Sequence, residues 1–148
     1  ARDVVDELSR RGVFVAIVSA GVDIFVGVIA NMLSVDDWAA NGFDWDDEGW
    51  LRGPAPTRVY SHDKGIMVEK LSRIKDLEPE SIVSVGDSST DLSMMIPGSR
   101  FIGFNPARQR ASDAFENAGV PTVVSKDLRD IWQHIFEGES FPQSGEGN

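Results

Sequence analysis

Residues 81–95 read SIVSVGDSSTDLSMM, an apolar run that ends on an acidic, hydroxyl-rich turn. Ile82, Val83 and Val85 lead into Gly86, after which Asp87 and Asp91 stand four apart with Ser88, Ser89 and Thr90 between them. A short apolar run closed by turn residues predicts a buried strand. In open α/β sheets, ligands bind beyond the carboxyl ends of the strands, which is where this acidic turn falls. Two carboxylates on one turn can face a single small volume, and their repulsion then needs a cation or a proton between them. Oxygen-only ligands select a hard ion such as Mg²⁺ over zinc. Asp87 and Asp91 are therefore candidate Mg²⁺ ligands. The same spacing also suits a solvated pair, and Asp91 could instead cap the short helix that follows.

Working outward, the chain alternates helix and strand patterns. ARDVVDELSRRG sets Val4, Val5 and Leu8 at helical spacing and stops at Gly12. Val13–Gly21, VFVAIVSAG, is a continuous apolar run that predicts a strand buried on both faces of a parallel sheet. VDIFVGVIANML predicts an apolar helix with Asp23 near its positive end. WAANGFDWDDEGWLRG predicts two short strands around Asp47-Glu48-Gly49, with Trp38, Trp45 and Trp50 packed together there. DKGIMVEKLSRIKDL is amphipathic, with Met67, Leu71 and Ile74 on the expected buried face. After the strand of the opening stretch come a short helix, DLSMM, a strand, RFIGFN, and a helix, ARQRASDAFENAG. A fourth strand, PTVVS, and a last helix, DLRDIWQHIF, complete the pattern. This order predicts an α/β fold with helices on both faces of a parallel sheet, one domain over residues 1–136, and a disordered Gly/Ser/Glu-rich tail over 137–148.

Bulk properties narrow the function. The net charge is −10, which disfavours nucleic acid and anionic membrane surfaces as partners. The chain has no cysteine, which excludes disulfides, thiolate catalysis and zinc–thiolate sites and suits a cytoplasmic setting. No apolar run approaches the roughly 20 residues that span a bilayer.

Two further polar positions join the acidic turn. Ser19 closes the first predicted strand ahead of Ala20 and Gly21, where a hydroxyl and backbone N–H groups favour an anion; an ordinary helix cap is the alternative. Lys64 opens a helix, where a cation opposes the dipole and calls for a compensating anion. A phosphate group between Ser19, Lys64 and Mg²⁺ would meet both conditions. Asn105, after the third strand, either faces the same cleft or caps the next helix, and the cap is the expected role.

VAIVSAG, DKGIMVEKL and VSVGDSSTDLSMM, in that order, resemble the second, third and fourth motifs of the haloacid dehalogenase superfamily of phosphohydrolases. AANGFDWDDEGWLRG is similar to the hairpin of its phosphoserine phosphatase branch. The resemblance covers about residues 2–135 and implies a three-layer Rossmann-like core. It implies that Ser19 hydrogen-bonds the transferring phosphoryl group, helped by Ala20 and Gly21, and that Lys64 neutralises it. Asp87 would bind Mg²⁺, with Asp91 ligating the ion or supporting its shell. Thr90 stands where that branch often has asparagine, which puts the substrate contact there in question.

One departure is large. The superfamily's first motif, Asp-x-Asp, supplies the nucleophile and the general acid–base, and it does not occur before Ser19. Asp44 and Asp46 match it only superficially, in a predicted solvated turn. The motif's strand is central in that fold, and the cap insertion that follows it is also lacking here. The expectation is the C-terminal portion of a longer Mg²⁺-dependent phosphatase. Its substrate would be a small phosphorylated metabolite such as phosphoserine, the mechanism an aspartyl-phosphate, and this chain alone inactive. The alternatives are a phosphate- or metal-binding fragment, a fragment that forms a homodimer through exposed strand edges, or a phosphotransferase acting on a small acceptor.

Overall fold

The computed structural model describes residues 1–142. Helix α1 (Arg2–Arg10) buries Val4 and Val5 and carries Asp3 in its first turn and Arg10 in its last, charges that complement the helix dipole. Strand β1 (Ala16–Val22) follows, then helix α2 (Asp23–Leu33), then strand β2 (Asp37–Asn41), which pairs parallel to β1. Parallel strands need such a crossover, and α2 provides it. Strands β3 (Phe43–Trp45) and β4 (Leu51–Pro54) form the expected antiparallel hairpin. Its turn is held by Asp46 Oδ1, which accepts from Glu48 N–H at 3.0 Å and Trp50 N–H at 2.9 Å. The side chain of Asp44 lies outside the described residues.

Helix α3 (Gly65–Ile74), strand β5 (Val83–Gly86), a 3₁₀ turn over Ser89–Met94 and strand β6 (Arg100–Phe104) come next. Helix α4 (Gln109–Ala118), strand β7 (Thr122–Val123), a 3₁₀ turn over Leu128–Ile131 and helix α5 (Trp132–Ile135) complete the described elements. β5, β6 and β7 form a parallel sheet in that order. The core is built from Val68, Met94, Phe101, Ala111 and Phe115, and Val18 and Ile82 pack against it. Among the described residues no helix is long and apolar enough to cross a membrane.

The parallel α/β reading holds, with several corrections. β2 falls in the segment read as hairpin: Asp37–Asn41 has none of the β-branched residues that mark a strand, and pairing with β1 creates it. β1 is half-buried rather than buried on both faces. Among the described residues its only partner is β2, and β5 pairs only with β6, so each keeps an unpaired edge. The face of α3 is centred on Gly65, Val68 and Ser72, which are three and four residues apart; Met67 and Leu71 are half-buried beside it and Ile74 is 64% exposed. The three tryptophans do not pack together: Trp45 and Trp50 are exposed, and Trp38 lies on β2 against Gly27 of α2. DLSMM is a 3₁₀ turn rather than an α-helix.

The chain also stays docked beyond residue 136. Glu139 Oε2 accepts from Trp132 Nε1 and from Arg11 Nη1, both at 2.7 Å, and the Phe141 ring meets Trp132 edge-on at 5.1 Å. The rest of the expected disordered tail, residues 143–148, lies outside the described residues.

Candidate active site

The carboxyl ends of β5 and β6 and the flank of β1 enclose a cleft of ≈ 430 Å³ whose walls include Val18, Lys64, Asp87, Asp91 and Asn105. Its apolar floor runs from Val18 on β1 to Val85 on β5, so it lies between the two unpaired strand edges.

The acidic turn is built around Asp91. Its Oδ2 accepts from the backbone N–H groups of Asp87 and Ser88, each at 3.1 Å, and Ser88 Oγ accepts from Thr90 N–H at 3.2 Å, closing a capping box. Asp91 thus takes part in a cap, as the third-residue partner of the N-cap Ser88, and it also lines the cleft. Its Oδ1 takes the Lys64 ammonium at 2.5 Å, with side chains only 9% and 13% exposed. The anion that compensates Lys64 at its helix start is therefore Asp91. The Lys64 backbone is fixed as well: its N–H donates to Ser93 Oγ at 2.8 Å, and Ser93 Oγ donates to the Thr90 carbonyl at 2.8 Å.

Two glycines permit this approach. A Cβ on Gly86 would meet Asp91, 2.7 Å from Oδ2, and one on Gly65 would collide with the Ser93 carbonyl oxygen. The glycines in VGD and DKG are there because backbone and side chain come closer than any other residue allows.

Asp87 is different. It is exposed, and its carboxylate has no hydrogen-bond or ion-pair partner among the described residues. Among those residues no three acidic or imidazole groups converge as a ready-made metal cage. Mg²⁺ does not need one, since it keeps several waters and binds through one or two carboxylates plus substrate oxygens. A free carboxylate at the mouth of a cleft that also holds a lysine fits that requirement.

Ser19 is adjacent but not in the cleft wall; its β1 neighbour Val18 is. Ser19 Oγ accepts from Gly21 N–H at 3.0 Å, leaving its own proton available to an acceptor. It is not a helix cap, because β1 continues to Val22 and α2 starts at Asp23. The β1–β2 register shifts between Val18 and Val22, so the Ser19–Gly21 turn is an irregularity inside the strand. Thr90 is exposed on the acidic turn, its hydroxyl 2.8 Å from Ser88 Oγ. Asn105 faces the cleft and does not cap α4, whose N-cap is Arg108; its amide is taken up by the Ser125 backbone.

Asn41 escapes sequence reading altogether. Its Nδ2 donates to the Ala20 carbonyl at 3.1 Å and the Val59 carbonyl at 2.9 Å, and its Oδ1 accepts from Arg58 and Val59 N–H, both at 2.9 Å. It ties the end of β1 to the segment leading to Lys64. An asparagine before a glycine looks like a turn residue in sequence, and no local signal reveals this role.

Comparisons with known proteins bear on the fold. No family model matches the chain. It is 33% identical over 138 residues to a phosphoserine phosphatase of Methanocaldococcus jannaschii, covering 91% of this chain. A solved substrate-bound phosphoserine phosphatase complex superposes with a TM-score of 0.76 at 32% identity, covering 91% of this chain and 62% of that one. A solved phospho-aspartyl intermediate analogue of phosphoserine phosphatase gives 0.72 at 30% identity, with the same 91% and 62% coverage. The chain spans 62% of the length of the Methanocaldococcus relative. With its motifs in order, the α/β architecture and these matches, the chain is phosphoserine-phosphatase-like in sequence and fold over 91% of its length.

Proposed function

We propose that this chain carries the phosphate- and metal-binding residues of a Mg²⁺-dependent phosphomonoester hydrolase acting in the cytoplasm on a small phosphorylated metabolite of the phosphoserine type. The observation that carries the reading is the meeting of Lys64, Asp87 and Asp91 in one cleft at the carboxyl end of β5. The names of the relatives, and the phospho-aspartyl form of one of them, support the substrate class and a carboxylate nucleophile.

In this reading Asp87 holds Mg²⁺. Asp91 supports that site by holding the Asp87 backbone N–H and the Lys64 ammonium; its Oδ2 already accepts from two N–H groups, and its Oδ1, which takes Lys64, keeps a lone pair for the ion. When bound, the ion would neutralise charge on the phosphoryl oxygens. Lys64 supplies the fixed positive charge on the other wall, in place before the substrate arrives, which is how such sites stabilise developing charge. Ser19 donates its free proton to a phosphoryl oxygen, and the Ala20–Gly21 backbone lies beside it. Thr90 offers a hydroxyl at the rim for the rest of the substrate. The attacking carboxylate belongs to residues outside these 148, between the unpaired edges of β1 and β5.

The test is direct. The purified chain, given Mg²⁺ and a generic aryl phosphate or phosphoserine, is expected to show no turnover; clear Mg²⁺-dependent hydrolysis sinks the assignment of the nucleophile. Calorimetric titration with Mg²⁺ is expected to show binding that Asp87→Asn abolishes. The same unpaired edges favour a second reading, association of two copies through strand pairing. Light scattering that gives a monomer at every concentration counts against it.

A further inference from the structure

We propose that Asn105 is a positioning residue for Asp87, acting through the loop that leaves β6; this rests on the reading of Asp87 as the Mg²⁺ ligand. Because the Asp87 carboxylate has no partner of its own among the described residues, its aim depends on how its peptide is held. The residue is gripped on both sides. Its N–H donates to Asp91 Oδ2 at 3.1 Å, and its carbonyl accepts from Ala107 N–H at 2.9 Å. The first grip lies within the acidic turn. The second comes from a separate loop.

That loop has little packing to fix it, since Asn105, Ala107 and Arg108 are all exposed. Hydrogen bonds hold it instead, and they centre on Asn105. Its Oδ1 accepts from Ser125 N–H at 2.8 Å, its Nδ2 donates to the Ser125 carbonyl at 2.5 Å, and its own N–H donates to the Val123 carbonyl at 2.8 Å. These bonds clip the end of β6 to the end of β7. Asn105 also has φ 47°, a left-handed conformation that asparagine tolerates better than most residues. The clip and the left-handed turn together set the direction in which the chain leaves β6, and so bring Ala107 to Asp87. Asn105 also lines the cleft, so the loop it fixes borders the site.

Groups that orient a metal ligand typically change metal affinity about 10–100-fold when removed. The experiment titrates Mg²⁺ alone, by calorimetry, into the full chain and into Asp87→Asn, Asn105→Gly and Ala107→Pro, with the urea midpoint recorded for each. Asn105→Gly keeps the left-handed backbone accessible and removes only the side-chain bonds. Ala107→Pro removes the N–H that reaches Asp87, and Asn105→Gly still decides the matter should the proline variant fail to fold. The expected result is loss of binding in Asp87→Asn and affinity weakened about tenfold or more in both loop variants, with urea midpoints near wild type because the loop is exposed. A merely structural Asn105 would lower the midpoint and leave the affinity of the folded protein unchanged. Loop-variant affinities within about twofold of wild type, well short of the outer-partner effect, overturn the positioning role and leave Asp87 as ligand. Absence of wild-type binding, or binding that survives Asp87→Asn, overturns the ligand reading and the positioning role with it.

Discussion

Replacing Asp91 with asparagine tests the electrostatic centre of the site. One carboxylate oxygen holds the Lys64 ammonium at 2.5 Å, and the other accepts two backbone N–H groups at 3.1 Å. Asparagine has the same shape but one acceptor oxygen and one NH₂ group. If its oxygen faces the N–H donors of Asp87 and Ser88, its NH₂ faces the ammonium; if it turns round, the NH₂ meets those donors. Either way one side loses its acceptor, and Lys64, 13% exposed, loses its counter-charge. Removing one partner of a buried ion pair costs about 3–5 kcal/mol, and the slight exposure here points to the lower end, about 3 kcal/mol. At 1.4 kcal/mol per decade this is about two decades in the folding equilibrium. Urea unfolding followed by tryptophan fluorescence in EDTA measures it with no metal contributing. Lys64→Met and the double variant complete a thermodynamic cycle. The double variant is expected to be more stable than Asp91→Asn alone, because no unpaired ammonium remains. A loss below about 1 kcal/mol for Asp91→Asn, the range of a surface pair, would refute the reasoning, as would strict additivity in the cycle.

Gly86→Ala places a methyl group against Asp91 and should destabilise by about 1–3 kcal/mol, read as a lower urea midpoint, while also weakening Mg²⁺ binding. Phe115→Ala empties a site that is 0% exposed at the centre of the core and should cost about 3–5 kcal/mol in the same unfolding assay. Acid should loosen the contact between α1 and the C-terminal segment. Glu7 titrates at about 2 rather than 4.5, chiefly through its hydrogen bond to Arg10, and Glu139 is lowered chiefly by Trp132 and then by Arg11. Folded-state values below unfolded ones mean stability that is present above pH 4.5 and lost as the pH falls towards 2. Thermal melts across that window should show a steeper decline in wild type than in Arg11→Gln, and equal slopes would exclude the contact as a source of the loss. Ile29→Asp, on α2, should leave the melting temperature within a few degrees, because Ile29 is 50% exposed and loses little apolar burial.

Much of the fold is legible along the chain because its signals are local. The apolar runs at Val13–Gly21 and Ile82–Val85 mark strands by composition, and Asp47-Glu48-Gly49 marks a turn by its chemistry. β2 is not legible, since Asp37–Asn41 is a strand only because β1 offers it a partner. The buried face of α3 is misread because Gly65 and Ser72 lie on it and carry no apolar signal. The Glu139 clasp onto Trp132 and Arg11 is hidden in a segment whose composition reads as tail.

Local sequence alone sets which polar residues accompany which elements: a serine within the first apolar run, a lysine at the start of α3, an aspartate pair after β5. Their order carries the resemblance to phosphatases, because each motif is a contiguous run whose chemistry needs no distant contact to be recognised. Only the folded chain shows where those groups lie and what they touch. Asp91 bonds Lys64 and the Asp87 turn, Asp87 has no side-chain partner among the described residues, Ser19 sits beside the cleft rather than in its wall, and Asn105 borders the cleft and clips Ser125 instead of capping α4. Such assignments depend on hydrogen bonds between residues tens of positions apart. Those bonds exist only once packing has brought the ends of β1, β5, β6 and β7 into register, and no local pattern encodes them.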